Sequence, residues 1–150
     1  MKALVQRVSG ASVSSGGKVR GEIGRGLLVL AGFGRSDTKT DLEWMVRKLL
    51  GLRIFPDDGS NMNLSVSDIG GSILVVSQFT LHADTRKGRR PSFVAAADPE
   101  DAQLLYDLFV RMLSGSGLTV QSGVFGDMME VSLLNDGPVT VMVDSPSERN

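Results

Sequence analysis

At 150 residues and 41% hydrophobic content, the chain is long enough for one core and too short for two comfortable ones. Its 16 basic residues against 17 acidic ones, net −1, argue against a bulk nucleic-acid coat, which needs clustered Lys and Arg, and leave room only for a local basic patch. The lack of cysteine removes disulfides, thiolate metal sites and a cysteine nucleophile, and a single histidine, His82, removes a multi-histidine zinc site.

Residues 2–8 alternate with the strand period, with Leu4, Gln6 and Val8 on one face and Ala3, Val5 and Arg7 on the other. This opening carries no apolar run of the kind a signal peptide needs, and no later stretch approaches a membrane span, so the expected compartment is the cytoplasm. Gly16-Gly17 suits a hairpin turn into Lys18–Ile23, and the apolar run after Gly26, LLVLAGF, suits a buried strand. A first helix is predicted from Thr40 and Glu43 at capping-box spacing, with Leu42, Met45, Val46, Leu49 and Leu50 on its buried face and Gly51 placed to end it. LRIF follows as a strand and PDDG as a turn, and Gly70-Gly71 introduces the strand SILVVSQF. The second helix opens with Asp98 as cap and Pro99 at its first position, carries Leu105, Leu108, Phe109 and Met112 inward, and stops at Gly115 and Gly117. LTVQ is a further strand, MEVSLL and VTVMV are expected to pair through the Asn-Asp-Gly-Pro corner, and the polar tail DSPSERN is expected to fray. Many strands with two main helices give an α+β fold, a single domain over residues 1–150 with a mostly antiparallel, curved or barrel-like sheet.

Three stretches invite a chemical reading. SQFTLHAD (77–84) leaves a buried strand and turns polar at once, offering the hydroxyls of Ser77 and Thr80, the amide of Gln78 and the flat wall of Phe79. His82 is the only imidazole that could activate a hydroxyl; it shares a face with Thr80 if the strand continues, but no third group orients it. In TRKGRRPSF (85–93), Arg86, Lys87, Arg89 and Arg90 surround a glycine. That is either a solvated charged loop or a phosphate contact beside an active site. In NDGPVTVMV (135–143), Gly137-Pro138 sits at the mouth of a strand, although proline gives no ladder hydrogen bond.

Together SQFTL (77–81), GRRPSF (88–93) and NDGPVT (135–140), with MKALVQRV, GEIGRGLLVL, MNLSV and GGSILVVSQFTL, resemble the D-aminoacyl-tRNA deacylases over nearly the whole chain. The resemblance implies hydrolysis of the ester joining a D-amino acid to the 3′ end of tRNA, action on mischarged glycyl-tRNA, a homodimer, and no metal or cofactor. It implies that Ser77, Gln78, Phe79 and Thr80 hold the ester. It further implies that Gly137-Pro138, in a cis peptide, reaches into the partner's pocket as a chirality filter that Arg7 positions. Phe125 and Met129 match positions lining the adenosine site, while Asp127 stands where the family commonly has alanine. Arg86, Lys87, Arg89 and Arg90 are the expected tRNA contacts. Two other readings are an RNA-binding module without turnover, built on the basic loop, and a general esterase built on Ser77 or Thr80.

Overall fold

The computed structural model describes residues 1–146. The long first strand, β1 (Lys2–Ser15), is the spine of the sheet. It runs well past the expected end at residue 8, because Ala11, Val13 and Ser15 resume the two-residue burial period after Val8. Gly16 and Gly17, with φ of 57° and 74°, turn it into β2 (Lys18–Ile23), as a two-residue hairpin requires. β3 (Gly26–Gly32) lies along the other half of the same edge of β1, with Lys2 opposite Gly32 and Val8 opposite Gly26.

Helix α1 (Lys39–Gly51) follows. It caps two residues earlier than the spacing suggested, at Thr38 rather than Thr40. The Thr38 N–H and Oγ1 donate to Asp41 Oδ2 at 2.8 and 3.1 Å, and Asp41, not Glu43, is the acidic partner. Its helical stripe buries Leu42, Met45 and Leu49, with Val46 and Leu50 packed on the rim of the core. Gly51 is its last residue rather than a left-handed stop, and Leu52 is the C-cap. The expected LRIF strand shrinks to β4 (Phe55–Pro56), paired with β5 (Met62–Leu64). β6 (Ser72–Ser77) runs parallel to β3, and after a 3-10 turn (Phe79–His82) and helix α2 (Pro99–Ser114), β7 (Val120–Ser122) runs parallel to β6. The inward stripe of α2 is Ala102, Tyr106, Phe109 and Leu113. Leu105, Leu108 and Met112, expected inside, lie half-buried on its flank.

The last strand corrects the expected hairpin: β8 (Glu130–Asp144) is one strand, antiparallel to β1 along its whole length, from Lys2 opposite Asp144 to Ser14 opposite Glu130. Between Gln6–Thr140 and Val8–Asn135 the register jumps, so residues 136–139 stand opposite Arg7 alone. The Asn-Asp-Gly-Pro corner is therefore a bulge thrown out of a continuing strand. The expected fraying of the tail is also corrected at its start. The Ser145 N–H donates to Met1 O at 2.8 Å, and its hydroxyl joins Met1 N and Asp41, while Met1 N pairs with Asp37. Residues 147–150 of the expected frayed tail lie outside the described residues.

The sheet is mixed, with strand order β2-β1-β3-β6-β7 and β8 on the far edge of β1. It nearly closes into a barrel, because Gly21 on β2 brings its Cα against Gln121 and Ser122 of β7: an added Cβ would stand 3.2 Å from both. Neighbours in β3 and β6 are buried on opposite faces. Leu27, Val29, Ile73 and Val75 pack toward α1 and α2, and Leu28, Leu74 and Val76 join Val8, Val13 and Ile23 in a second core. Burial on both faces explains the unbroken apolar runs of these strands.

Candidate active site

β6 delivers the polar stretch to the surface. Ser77 is its last residue, opposite Ala31, and the Gln78 N–H still donates to Ala31 O at 2.8 Å. The chain then tightens into the 3-10 turn, with Leu81 N–H donating to Gln78 O and Ala83 N–H to Thr80 O. Among the described residues no acceptor meets the N–H of Phe79 or Thr80, as befits the first donors of a helical turn. The Gln78 side-chain amide donates to Thr80 Oγ1. The turn ends the strand, so Thr80 and His82 do not share a strand face. The His82 ring packs over the backbone of Gly32 and Gly34, and its buried Nε2 meets no partner among the described residues. The Thr80–His82 arrangement weighed from the sequence is thus not assembled.

A cavity of about 630 Å³ opens beside this turn. Ser77, Gln78 and Phe79 form one wall, and Phe125, Asp127 and Met129 form another. Thr80 is exposed next to the wall without lining it. Phe93, Ala97 and Asp98 close a third side that the sequence reading missed, and the Phe93 ring meets Phe79 edge to face at 5.1 Å. Phe93 lies in the GRRPSF motif itself, and that position was the available signal. Arg35, also missed, pins this side: its Nε donates to Val94 O at 2.7 Å and its Nη2 pairs with Asp98 at 3.2 Å.

The basic loop stands away from the cavity. Asp84 and Ser92 exchange two backbone hydrogen bonds, 2.7 and 2.9 Å, that close a neck below residues 85–91. Arg86 folds back on Asp84, donating through Nε and Nη2 at 2.9 and 2.6 Å; this ion pair and the Arg86 N–H hold the Asp84 carboxyl below its ordinary range. Lys87, Arg89 and Arg90 are exposed and make no ion pair among the described residues. None of the four cations lines the cavity.

The bulge of β8 is held from two sides. Arg7, 8% exposed, donates from Nε to Asp136 O at 2.7 Å and from Nη1 to Ile54 O at 2.6 Å. Asn135 closes the bulge at its base: its Oδ1 accepts from Val139 N–H at 2.7 Å and its Nδ2 donates to Val139 O at 3.1 Å. Gly137 has φ +148°, and a Cβ there would lie 2.8 Å from Val139 Cγ2 and 3.0 Å from Arg7 Nη2, so the position requires glycine. The Gly137–Pro138 peptide bond is cis. Arg7, Gly137 and Pro138 do not line the cavity of their own chain. Among the described residues no helix is long and apolar enough to cross a membrane, and no three His, Cys, Asp or Glu side chains cluster as metal ligands.

Residues 4–144 match the family model described as D-Tyr-tRNA(Tyr) deacylase. A D-aminoacyl-tRNA deacylase of Koribacter versatilis is 54% identical over 148 residues, 99% of each chain. One of Chloroherpeton thalassium is 57% identical over 149 residues, 99% of this chain and 98% of that one. A solved structure described as c-Myc DNA Unwinding Element Binding Protein superposes with a TM-score of 0.92 at 45% identity, covering 98% of this chain and 100% of that one. A probable eukaryotic D-amino acid tRNA deacylase superposes at 0.82 with 22% identity, over 95% and 97% of the two chains, and so shares the fold. With a family match across almost the entire length and relatives above half identity, the chain belongs to the D-Tyr-tRNA(Tyr) deacylase family, hydrolases acting on the aminoacyl-tRNA ester.

Proposed function

We propose that the cavity takes the 3′-terminal adenosine of a D-aminoacyl-tRNA between Phe125 and Met129, with the ester carbonyl laid against the turn at Ser77–Thr80. The observation that carries this reading is an apolar, aromatic cavity beside a turn whose first two N–H groups, those of Phe79 and Thr80, meet no acceptor among the described residues. Such donors, fixed before the reaction, favour the oxyanion that develops when water attacks the carbonyl. With Thr80 Oγ1 engaged by Gln78 and no imidazole oriented toward it, the chemistry rests on positioning and on the substrate's own 2′-hydroxyl rather than on a threonine nucleophile. Near-normal turnover by Thr80→Ala supports this; complete loss with intact substrate binding supports the nucleophile.

Selection against L-amino acids falls, in this reading, to Gly137-Pro138. D and L esters carry the same groups and differ only in direction at Cα. A side-chain pocket would have to fit every amino acid, whereas a backbone wall close to Cα excludes one direction for all of them. Arg7 and Asn135 hold the bulge in place. The resemblance to the D-aminoacyl-tRNA deacylases has this wall act in the cavity of a second copy, making the working unit a homodimer; Gly137-Pro138 does not line the cavity of its own chain, in keeping with that reading. Glycyl-tRNA, with no side chain to clash, passes the wall and is hydrolysed as well. Lys87, Arg89 and Arg90 contact the tRNA backbone, and the cytoplasm is the compartment this reading assigns.

Turnover of D-aminoacyl-, L-aminoacyl- and glycyl-tRNA side by side tests the proposal. Hydrolysis of the first and third with L spared supports it, and equal D and L rates overturn the wall. The exposed basic loop also favours a second reading, nucleic-acid binding without turnover, and in that case none of the three substrates is cleaved.

A further inference from the structure

We infer that Tyr106 is a positioning residue of the site: its hydroxyl latches the loop carrying Phe125 and Met129 to the strand that ends at Ser77. The inference rests on the reading of the cavity as the adenosine pocket. Tyr106 lies on α2, is 3% exposed, and does not itself line the cavity. Its hydroxyl stands 3.1 Å from Val75 O, two residues before Ser77, and 3.2 Å from Gly123 O, two residues before Phe125. Its ring packs against Phe125 at 5.8 Å and edge to face on Phe33 at 6.5 Å, and both of those rings line the cavity. Burial pushes the phenol pKa up to about 12, so it stays protonated and able to donate at any working pH.

The two carbonyls do not depend on the phenol equally. Val75 O also accepts from the Gly123 N–H at 3.0 Å, so β6 keeps a bond there when the hydroxyl is removed. Gly123 O has no other donor among the described residues. Gly123 is also where Met129 rests, since a Cβ at that glycine would meet Met129 Sδ at 2.7 Å. Losing the hydroxyl therefore leaves Gly123 O without its donor and loosens the wall that runs from there to Met129, although the Gly123 N–H keeps its bond to β6, and it leaves the Ser77–Thr80 turn as it was. The consequence is weaker binding of the nucleoside without a change in the chemical step.

Tyr106→Phe keeps the ring packing and removes only the hydroxyl. With D-aminoacyl-tRNA as substrate, its KM rises about three- to tenfold, the equilibrium factor of one hydrogen bond, and kcat stays within about twofold. In the free protein, amide hydrogen exchange at residues 123–129 speeds up and that of Val75–Ser77 does not; this readout holds even if the variant loses thermal stability. A lowered Tm with KM and the exchange of 123–129 unmoved overturns the inference, as does a loss confined to kcat. Phe125→Ala identifies which statement failed. If it raises KM while Tyr106→Phe does not, the latch is wrong and the pocket stands; if neither moves KM, the adenosine pocket itself is wrong.

Discussion

Arg7 and Asp136, on opposite strands, meet where the ladder between β1 and β8 breaks: the Arg7 Nε lies 2.7 Å from the Asp136 carbonyl oxygen, inside the gap left by four residues facing one. A second arm of the same guanidinium reaches Ile54 O at 2.6 Å, so one buried side chain ties the bulge to the segment before β4. Arg7→Met keeps the aliphatic packing and orphans both carbonyls. The expected loss is about 3 kcal/mol, from two hydrogen bonds to a charged donor. Arg7→Lys recovers only part of it, since a point charge cannot serve two carbonyls as a planar fork does. Denaturant unfolding of the two variants checks the order, and a relaxed D/L turnover ratio in Arg7→Met links the clamp to selection.

Gly26 opens β3 directly beside Ser72 of β6. An added Cβ would stand 1.8 Å from Ser72 O and 2.7 Å from Ser72 N, all backbone of a central parallel strand. No rotamer relieves such a clash. Gly26→Ala is expected to cost more than about 3 kcal/mol, beyond ordinary overpacking. A Tm within a few degrees of the parent would contradict the close register.

The Asp41 carboxyl gives the fold an acid limit. Burial pushes its pKa up, but the hydrogen bonds from the Thr38 N–H, the Ser145 hydroxyl and the Thr38 hydroxyl together outweigh that and hold it below 3.8. A depressed carboxylate contributes fully above its unfolded value, and that contribution is lost as pH falls through the folded one. Asp41→Asn should therefore lower stability by about 1 kcal/mol at neutral pH, the usual weight of a helix cap. The gap to the parent should narrow steadily in thermal melts below pH 3.8.

The basic loop predicts an inequality among its cations. Arg86 already spends its guanidinium on Asp84, while Lys87, Arg89 and Arg90 stand free of ion pairs among the described residues. Neutralising any of those three should raise KM for the tRNA substrate and reduce the salt slope of log KM by about 0.7 per lost phosphate contact. Arg86→Gln should do less. An aminoacyl-adenosine fragment, which carries no tRNA phosphates for the loop to hold, serves as the control whose KM stays constant.

Local sequence chemistry made much of this protein legible. The Gly16-Gly17 hairpin, the apolar strands β3 and β6, and the Asp98-Pro99 start of α2 follow from residue type and spacing alone. The failures share one cause, which is that partners distant in the chain decide between locally equivalent options. Thr38/Asp41 and Thr40/Glu43 offer the same capping spacing, and Ser145, over a hundred residues away, helps to select the first. Leu105 and Leu108 outrank Ala102 and Tyr106 in hydrophobicity. The core nevertheless takes the small residue and the one whose hydroxyl finds two carbonyls. Asn-Asp-Gly-Pro carries every mark of a hairpin corner, yet β1 is long enough to pair with both flanks and turns the corner into a bulge. Ser77, Gln78 and Phe79, singled out by their polarity change, and Phe125 and Met129, singled out by resemblance, all line one cavity; Arg35 and Tyr106 bond to backbone carbonyls, which no side-chain motif records.

The marriage of the first strand to the last sets an order of events on the ribosome. Lys2 can meet Gly32 of β3 early, but its partner on the other edge, Asp144, is made far later, and that edge of β1 stays open until residues 130–144 emerge. Until then a nascent chain can seat α1 and α2 against β3 and β6, but it shows a bare strand to its surroundings, where chaperones and like chains compete for it. The outer edge of β1 is covered only by a segment made more than a hundred residues later.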